Sequence, residues 1–155
     1  MAKNQTSQCH HSRTKGKFTD AFKGLSQRNS RPRQSIAERL EKFARSGKCF
    51  TAEELLEAAR KGSPGIGRAT VFRSIERLAG MKLLGRIDFP DGKRRYFVCG
   101  DSHHHHHLVC TRCHRVTKFE HCLRPQVMAT IGKREHFAIE EHSLTLFGCC
   151  RACVQ

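Results

Sequence analysis

The stretch that decides the fold is GIGRATVFRSIERLAG (65–80), followed by LLGRIDF (83–89), the turn PDG (90–92) and KRRYFVC (93–99). Val71, Ile75, Leu78 and Ala79 share one side of a helix starting near Gly67, which turns Arg68, Thr70, Arg73 and Arg77 toward solvent or a partner. Two strand-like runs around Asp-Gly then predict a hairpin. Upstream, Ile36, Leu40 and Phe43 line one face of a helix from Pro32, with Gly47 near its stop. Thr51 heads TAEELLEAARKG (51–62) with Glu54 three residues on, a capping-box spacing. Three helices and a hairpin make a winged helix-turn-helix. Its basic helix enters a major groove, while Lys93, Arg94 and Arg95 on the wing neutralise phosphates.

Composition agrees with a polyanionic partner. The 155 residues carry 29 Lys+Arg against 14 Asp+Glu, a formal charge of +15, which favours polyanions such as nucleic acid or anionic lipid, lipid being the weaker reading. No apolar run approaches the roughly 18 residues of a membrane span, and the N-terminus lacks the apolar core of a signal peptide. A cytoplasmic protein without a membrane partner or a small organic substrate is expected. Residues 1–27 show no sustained period and are expected to form a basic, disordered arm, either contacting phosphates or simply solvated. Within it, Cys9, His10 and His11 have no periodic framework around them and are expected to bind metal only adventitiously.

Past residue 100 the character changes. LVC (108–110), RVTKF (115–119), HFAIE (136–140) and SLTLFG (143–148) look like short strands, and Leu123, Val127 and Ile131 mark a helix over about 123–135. Nine cysteines without a secretion signal favour metal-binding or redox thiols over structural disulfides. Cys110 and Cys113 form one CxxC, Cys150 and Cys153 another; four thiolates in two knuckles match tetrahedral structural zinc, against the alternative of redox-active pairs. So small a module has little core, and a zinc ion would staple it. Its apolar strands suit pairing across a two-fold axis, as a homodimer on a palindromic operator needs.

The run HHHHH (103–107) sits inside the chain and feeds into an apolar, cysteine-bearing strand pattern, which argues against an expression tag. In extended backbone, His103, His105 and His107 share one side while His104 and His106 share the other, so one run can serve two sites. The plain alternative is a solvated loop that takes up nickel or zinc only in the test tube. Cys49 is expected to be packed near a helix junction, and Cys122 and Cys149 to have no catalytic role.

ATVFRSIERL, the hairpin, HHHHHLVCTRC, EEHSLTLFGC and CRAC together resemble the ferric uptake regulator family of metal-sensing repressors, over about residues 28–153. The resemblance implies an α+β protein: an N-terminal winged helix-turn-helix, residues 28–99, then a small α/β dimerisation domain, residues 100–155, with a structural zinc site. It implies double-stranded DNA as partner, contacted by Arg68, Thr70, Phe72, Arg73, Arg77, Lys93 and Arg94. Phe72 stands where the family commonly has tyrosine, keeping a ring for thymine methyl contact and losing a hydroxyl. Where iron-sensing relatives often read HHDH, this chain has His106, and Cys99 adjoins the hinge, so the resemblance is closest to zinc uptake regulators. It implies a regulatory hinge site of Cys99, His105 and His107. The usual acid or histidine register holds Gly85, leaving Asp88, water or His103 as the fourth ligand. A second site is implied at His104, His106 and His142; its usual glutamate falls at Pro125, leaving Glu120 or His121.

The expected function is thus a zinc-responsive transcriptional repressor of metal uptake genes, with one structural zinc and one or two regulatory zincs per chain. Iron, manganese, nickel or peroxide sensing is the alternative within the class. A zinc enzyme is disfavoured because no HExxH and no evident general base accompany the histidines. A zinc store would leave Arg68, Arg73 and the wing arginines without a task.

Overall fold

The computed structural model describes residues 16–23, 31–99 and 104–154. In chain order the elements are α1 (Lys17–Lys23), α2 (Arg31–Ser46), α3 (Ala52–Arg60), α4 (Arg68–Gly80), β1 (Leu84–Asp88), β2 (Arg94–Val98), β3 (His106–Cys110), β4 (Val116–Phe119), α5 (Pro125–Arg134), β5 (Thr145–Gly148) and a short 3-10 turn, Arg151–Cys153. This is an α+β architecture, and among the described residues no helix is long and apolar enough to cross a membrane.

The helical unit forms for the reasons its sequence suggests. Ile36, Leu40 and Ala44 bury one stripe of α2 at spacing four, and α3 turns Leu55, Leu56 and Ala59 onto it. Thr51 Oγ1 accepts from the Glu54 N–H (3.1 Å) while the Glu54 carboxylate accepts from the Thr51 N–H (2.6 Å), so the first turn of α3 is capped from both sides. Val71, Ile75 and Leu78 of α4 join Phe50, Leu55 and Leu84 in one core. Removing a fully buried side chain from it, as in Leu40→Ala, costs about 2–5 kcal/mol.

The expectation of a disordered arm over 1–27 fails at Lys17–Lys23. Phe18, Ala21 and Phe22 of α1 are buried in that same core, and the Gly16 N–H donates to Glu41 (3.0 Å). Seven residues are too short to show a period and too short to hold a helix alone; packing supplies the stability. The rest of the arm, with Cys9, His10 and His11, lies outside the described residues, as do His103 and the expected boundaries at 27/28 and 99/100.

β1 and β2 pair antiparallel with Leu84 opposite Val98, Gly85 opposite Phe97 and Asp88 opposite Arg94. The Phe97 ring lies across Gly85 so closely that a Cβ there would collide with it. Arg95 corrects the sequence reading of a phosphate contact. Only 6% exposed, it is held bidentate by Asp91 (3.0 and 2.8 Å) and lies 4.1 Å from the Phe89 ring centroid, while its neighbours Lys93 and Arg94 face solvent.

The second unit is a three-stranded sheet ordered β4-β3-β5, with β3 antiparallel to β4 and parallel to β5, α5 leading from one edge to the other. The helix begins at Pro125, which has no N–H to leave unpaired in a first turn. The expected strand over HFAIE does not form: within the protomer 137–144 joins no ladder, and Phe137 stays 69% exposed. Alternation of side chains suggests a strand but supplies no partner for it.

The units meet along residues 47–50. The Cys49 N–H donates to His114 O (2.9 Å) and the Val116 N–H to Gly47 O (2.9 Å), while Phe50 and Tyr96 exchange both backbone bonds (2.8 and 2.7 Å). Behind this seam Cys49, Ile87, Phe89 and Phe97 pack on Val109 and Val116, a second core between wing and sheet. Cys49 is a packed residue, and burial pushes its thiol up to about 11.

Candidate metal centres and nucleic-acid face

The parallel register of β3 on β5 sets Cys110 opposite Gly148, so the turn after β3 and the turn after β5 emerge side by side. That brings the sulfurs of Cys110, Cys113, Cys150 and Cys153 within 4.8 Å of one another. Cys110 Sγ accepts from the backbone N–H groups of Cys113 (3.5 Å) and Cys150 (3.4 Å), and these bonds draw its thiol down to about 6. Sulfur-to-sulfur bonding with Cys150 and Cys113 pushes Cys153 up to about 12. Four cysteine sulfurs gathered this closely could supply the donor set of a closed tetrahedral zinc.

Near the other end of β3, His104, His106, Cys122 and His142 form a second group whose ligand atoms also lie within 4.8 Å of one another. Cys122 Sγ is 2.8 Å from His142 Nε2, 3.4 Å from His106 Nε2 and 3.5 Å from His104 Nε2. His106 is fully buried on β3, with Nδ1 lacking a partner. Burial, then the neighbouring charges of His104, His142 and His105, lower its pKa and keep the imidazole in the neutral, ligating form. Three imidazoles and a thiolate fit a metal of intermediate softness at tetrahedral geometry.

The structure thus brings His104, His106 and His142 together, with Cys122 as the fourth member and neither Glu120 nor His121 among them. Cys122 was overlooked because it lies in the irregular link between β4 and α5, where counting along a strand or helix places nothing. The available signal was its type: a thiol two residues from the sought carboxylate, in a chain already rich in metal-ligand spacing.

The hinge set is less complete. His105 and His107 are neighbours, ring centroids 4.8 Å apart, and His107 meets Phe97 edge-on at 4.5 Å. Burial drives His107 down to about 4, and its Nε2 is buried without a partner. Cys99 is half-buried beside the second core, its thiol raised by desolvation. Among the described residues no third ligand atom gathers with any two of Cys99, His105 and His107. Asp88 cannot serve: it pairs with Arg94 (3.0 Å) and Arg86 (3.7 Å) at the wing tip, roughly 13 Å along the strand from the Leu84–Val98 end that Cys99 follows. The Phe97 ring fills the Gly85 register where a ligand would stand.

On α4, Arg68, Arg73 and Arg77 are exposed while Thr70 and Phe72 are half-buried. Arg68 pairs with Glu53 at 2.7 Å and lies 5.8 Å from the Phe72 ring centroid. Both partners are solvated, so the pair is worth no more than about 1 kcal/mol and yields readily to a phosphate. A groove lined by Thr51, Glu53, Phe72, Lys93, Arg94 and Tyr96 separates helix from wing. Far from it, α5 has no buried residue, and Leu123, Val127, Ile131 and Phe137, with Leu108 and Leu146 of the sheet, remain exposed.

A profile described as "Ferric uptake regulator family" matches residues 25–147. The ferric uptake regulation protein of Bacillus subtilis (strain 168) is 39% identical over 106 residues, covering 67% of this chain and 71% of that one. The Vibrio cholerae ferric uptake regulator is 30% identical in sequence and similar in structure, with a TM-score of 0.57 over 86% of this chain and 97% of that one. A zinc uptake regulator complexed with zinc and DNA superposes with a TM-score of 0.62 over 92% of this chain and 95% of that one; at 24% identity this is a likeness of fold.

Proposed function

The chain belongs to the ferric uptake regulator family, and from that premise we propose that it is a zinc-responsive transcriptional repressor, a homodimer that binds palindromic operator DNA when its regulatory metal is bound and so controls zinc uptake genes. The observation that carries the zinc assignment is Cys122 beside His104, His106 and His142. A carboxylate at that place would favour iron(II) or manganese(II); a thiolate favours zinc. The four-cysteine set takes a second, structural zinc that holds β3 to β5.

Zinc at the three-histidine, one-cysteine set ties the head of α5 and the entry to β5 onto β3. This fixes the face on which α5 and the sheet expose Leu123, Val127, Ile131 and Leu108, the surface assigned to the second copy. Cys99, His105 and His107 form the third set of the proposal, supported by the buried Nε2 of His107 at the interdomain seam. Arg68, Arg73 and Arg77 then enter the major groove with Thr70 and Phe72, while Lys93 and Arg94 hold flanking phosphates. A coupling of about 1.4 kcal/mol between metal and DNA would already give a tenfold switch.

A gel-shift titration of a palindromic operator duplex, with free zinc, iron(II) and manganese(II) each buffered, tests this. Zinc at trace free concentration should switch binding on in the wild type and fail to do so in His142→Ala. Equal response to iron(II), or a zinc response that survives His142→Ala, would sink the zinc assignment to this site.

A further inference from the structure

The two sulfur-bearing sets differ in how open they are to solvent. Cys110 is 4% exposed, and its sulfur already accepts two backbone N–H bonds, so peroxide has little access to it. Cys122 is exposed, as are His104 and Glu141, and His104, Glu141, His142 and Ser143 line an open groove at the surface. Only His106 closes the set from below, fully buried with Nδ1 unpartnered. A metal-binding sulfur must be a thiolate, and an accessible thiolate is the form that peroxides attack.

We propose that Cys122 is a peroxide-reactive ligand, so that oxidant as well as zinc scarcity empties the three-histidine, one-cysteine site and lowers DNA affinity. This rests on the zinc reading of that site. The sulfur attacks one oxygen of hydrogen peroxide; an S–O bond forms, the O–O bond breaks, and hydroxide leaves and takes up a proton. Sulfur loses two electrons and peroxide gains them, giving a sulfenic acid in place of a thiolate. The product is a poor ligand, three imidazoles remain, and the head of α5 loses its tie to β3. Two equivalents of a thiol restore Cys122 and yield a disulfide and water. Reaction is at sulfur, leaving the imidazoles intact, so the change is reversible.

The test uses the full-length zinc-loaded protein, wild type and Cys149→Ser, the latter removing an exposed thiol outside both sets. One equivalent of hydrogen peroxide is added with a sulfenic-acid trap, and peptide mass mapping locates the adduct. Parallel samples without trap report zinc release to a chromogenic chelator and operator affinity by gel shift. The expected result is an adduct on Cys122 in both proteins, release of one zinc per chain, and at least a tenfold loss of DNA affinity that excess thiol reverses. In Cys122→Asp, peroxide should release little zinc relative to that variant's own untreated sample. An adduct confined to Cys149 or to the four-cysteine set would overturn the proposal, as would Cys122 oxidation that leaves zinc and affinity unchanged. If untreated wild type binds operator equally with and without zinc, the zinc reading itself falls and this proposal with it. If it responds to zinc but not to peroxide, only the present proposal falls.

Discussion

The four-cysteine set and the three-histidine, one-cysteine set share β3 yet are held in different ways. The first takes its ligands from the end of β3 and the two turns after β3 and β5, whose mutual position is dictated by strand register, Cys110 against Gly148, and Cys110 Sγ accepts two backbone N–H bonds. The second takes one ligand from a strand and three from irregular segments before β3, before α5 and before β5, with Cys122 and His104 open to solvent. A site preformed by a ladder suits permanent metal. One assembled from loops is formed by the metal itself, and its occupancy can therefore follow metal supply.

The largest effect should come from breaking the first set. Cys113→Ser removes a ligand of the proposed structural zinc, whose binding would be worth on the order of 10 kcal/mol. The variant should lose that zinc and the cooperative unfolding of the sheet unit while the helical unit still melts as before, measured by elemental analysis and thermal circular dichroism. His104→Ala should be milder: one zinc fewer per chain, folding retained, and operator affinity in zinc lowered about 10–100-fold, in line with loss of one metal ligand or its support. If instead it unfolds the sheet unit, the two sets are both structural and the distinction collapses.

A third variant probes why the hinge set is incomplete. Gly85→Ala drives a Cβ into the Phe97 ring and should cost about 1–3 kcal/mol, seen as a lower Tm with zinc content unchanged. The smallest effect is at the wing. Asp91 is lowered to about 2, first by its hydrogen bonds from Arg95 and then by the Lys93 N–H. A depressed folded-state pKa contributes stability that is present above about 4 and lost as pH falls toward about 2. Asp91→Asn should therefore soften that part of acid unfolding and leave both zincs in place at neutral pH.

What was legible in the sequence follows the same division. Val71, Ile75 and Leu78 at helical spacing, the Thr51–Glu54 cap and the two CxxC pairs each carry their own geometry, and each lies where that geometry puts it. His104 and His106 separated correctly from His105 and His107, because alternation is a local property of extended chain. Cys122 was not legible, since its neighbours in space come from segments 16 residues before it and 20 after it with no period to align them. Phe18 and Phe22 were hidden for a related reason: a seven-residue helix owes its existence to the core it caps. Arg95 looked like one more wing cation because nothing in KRR marks its last residue as the one that Asp91 grips.

The seam at Gly47–Phe50 also has a history in time. During synthesis these residues leave the ribosome several seconds before His114 and Val116, the groups that will bond them. The helical core around Leu40 and Leu55 can close in that interval, with Cys49 waiting at its edge. The second unit arrives to find half of its docking surface already built, so the order of translation and the order of assembly run the same way.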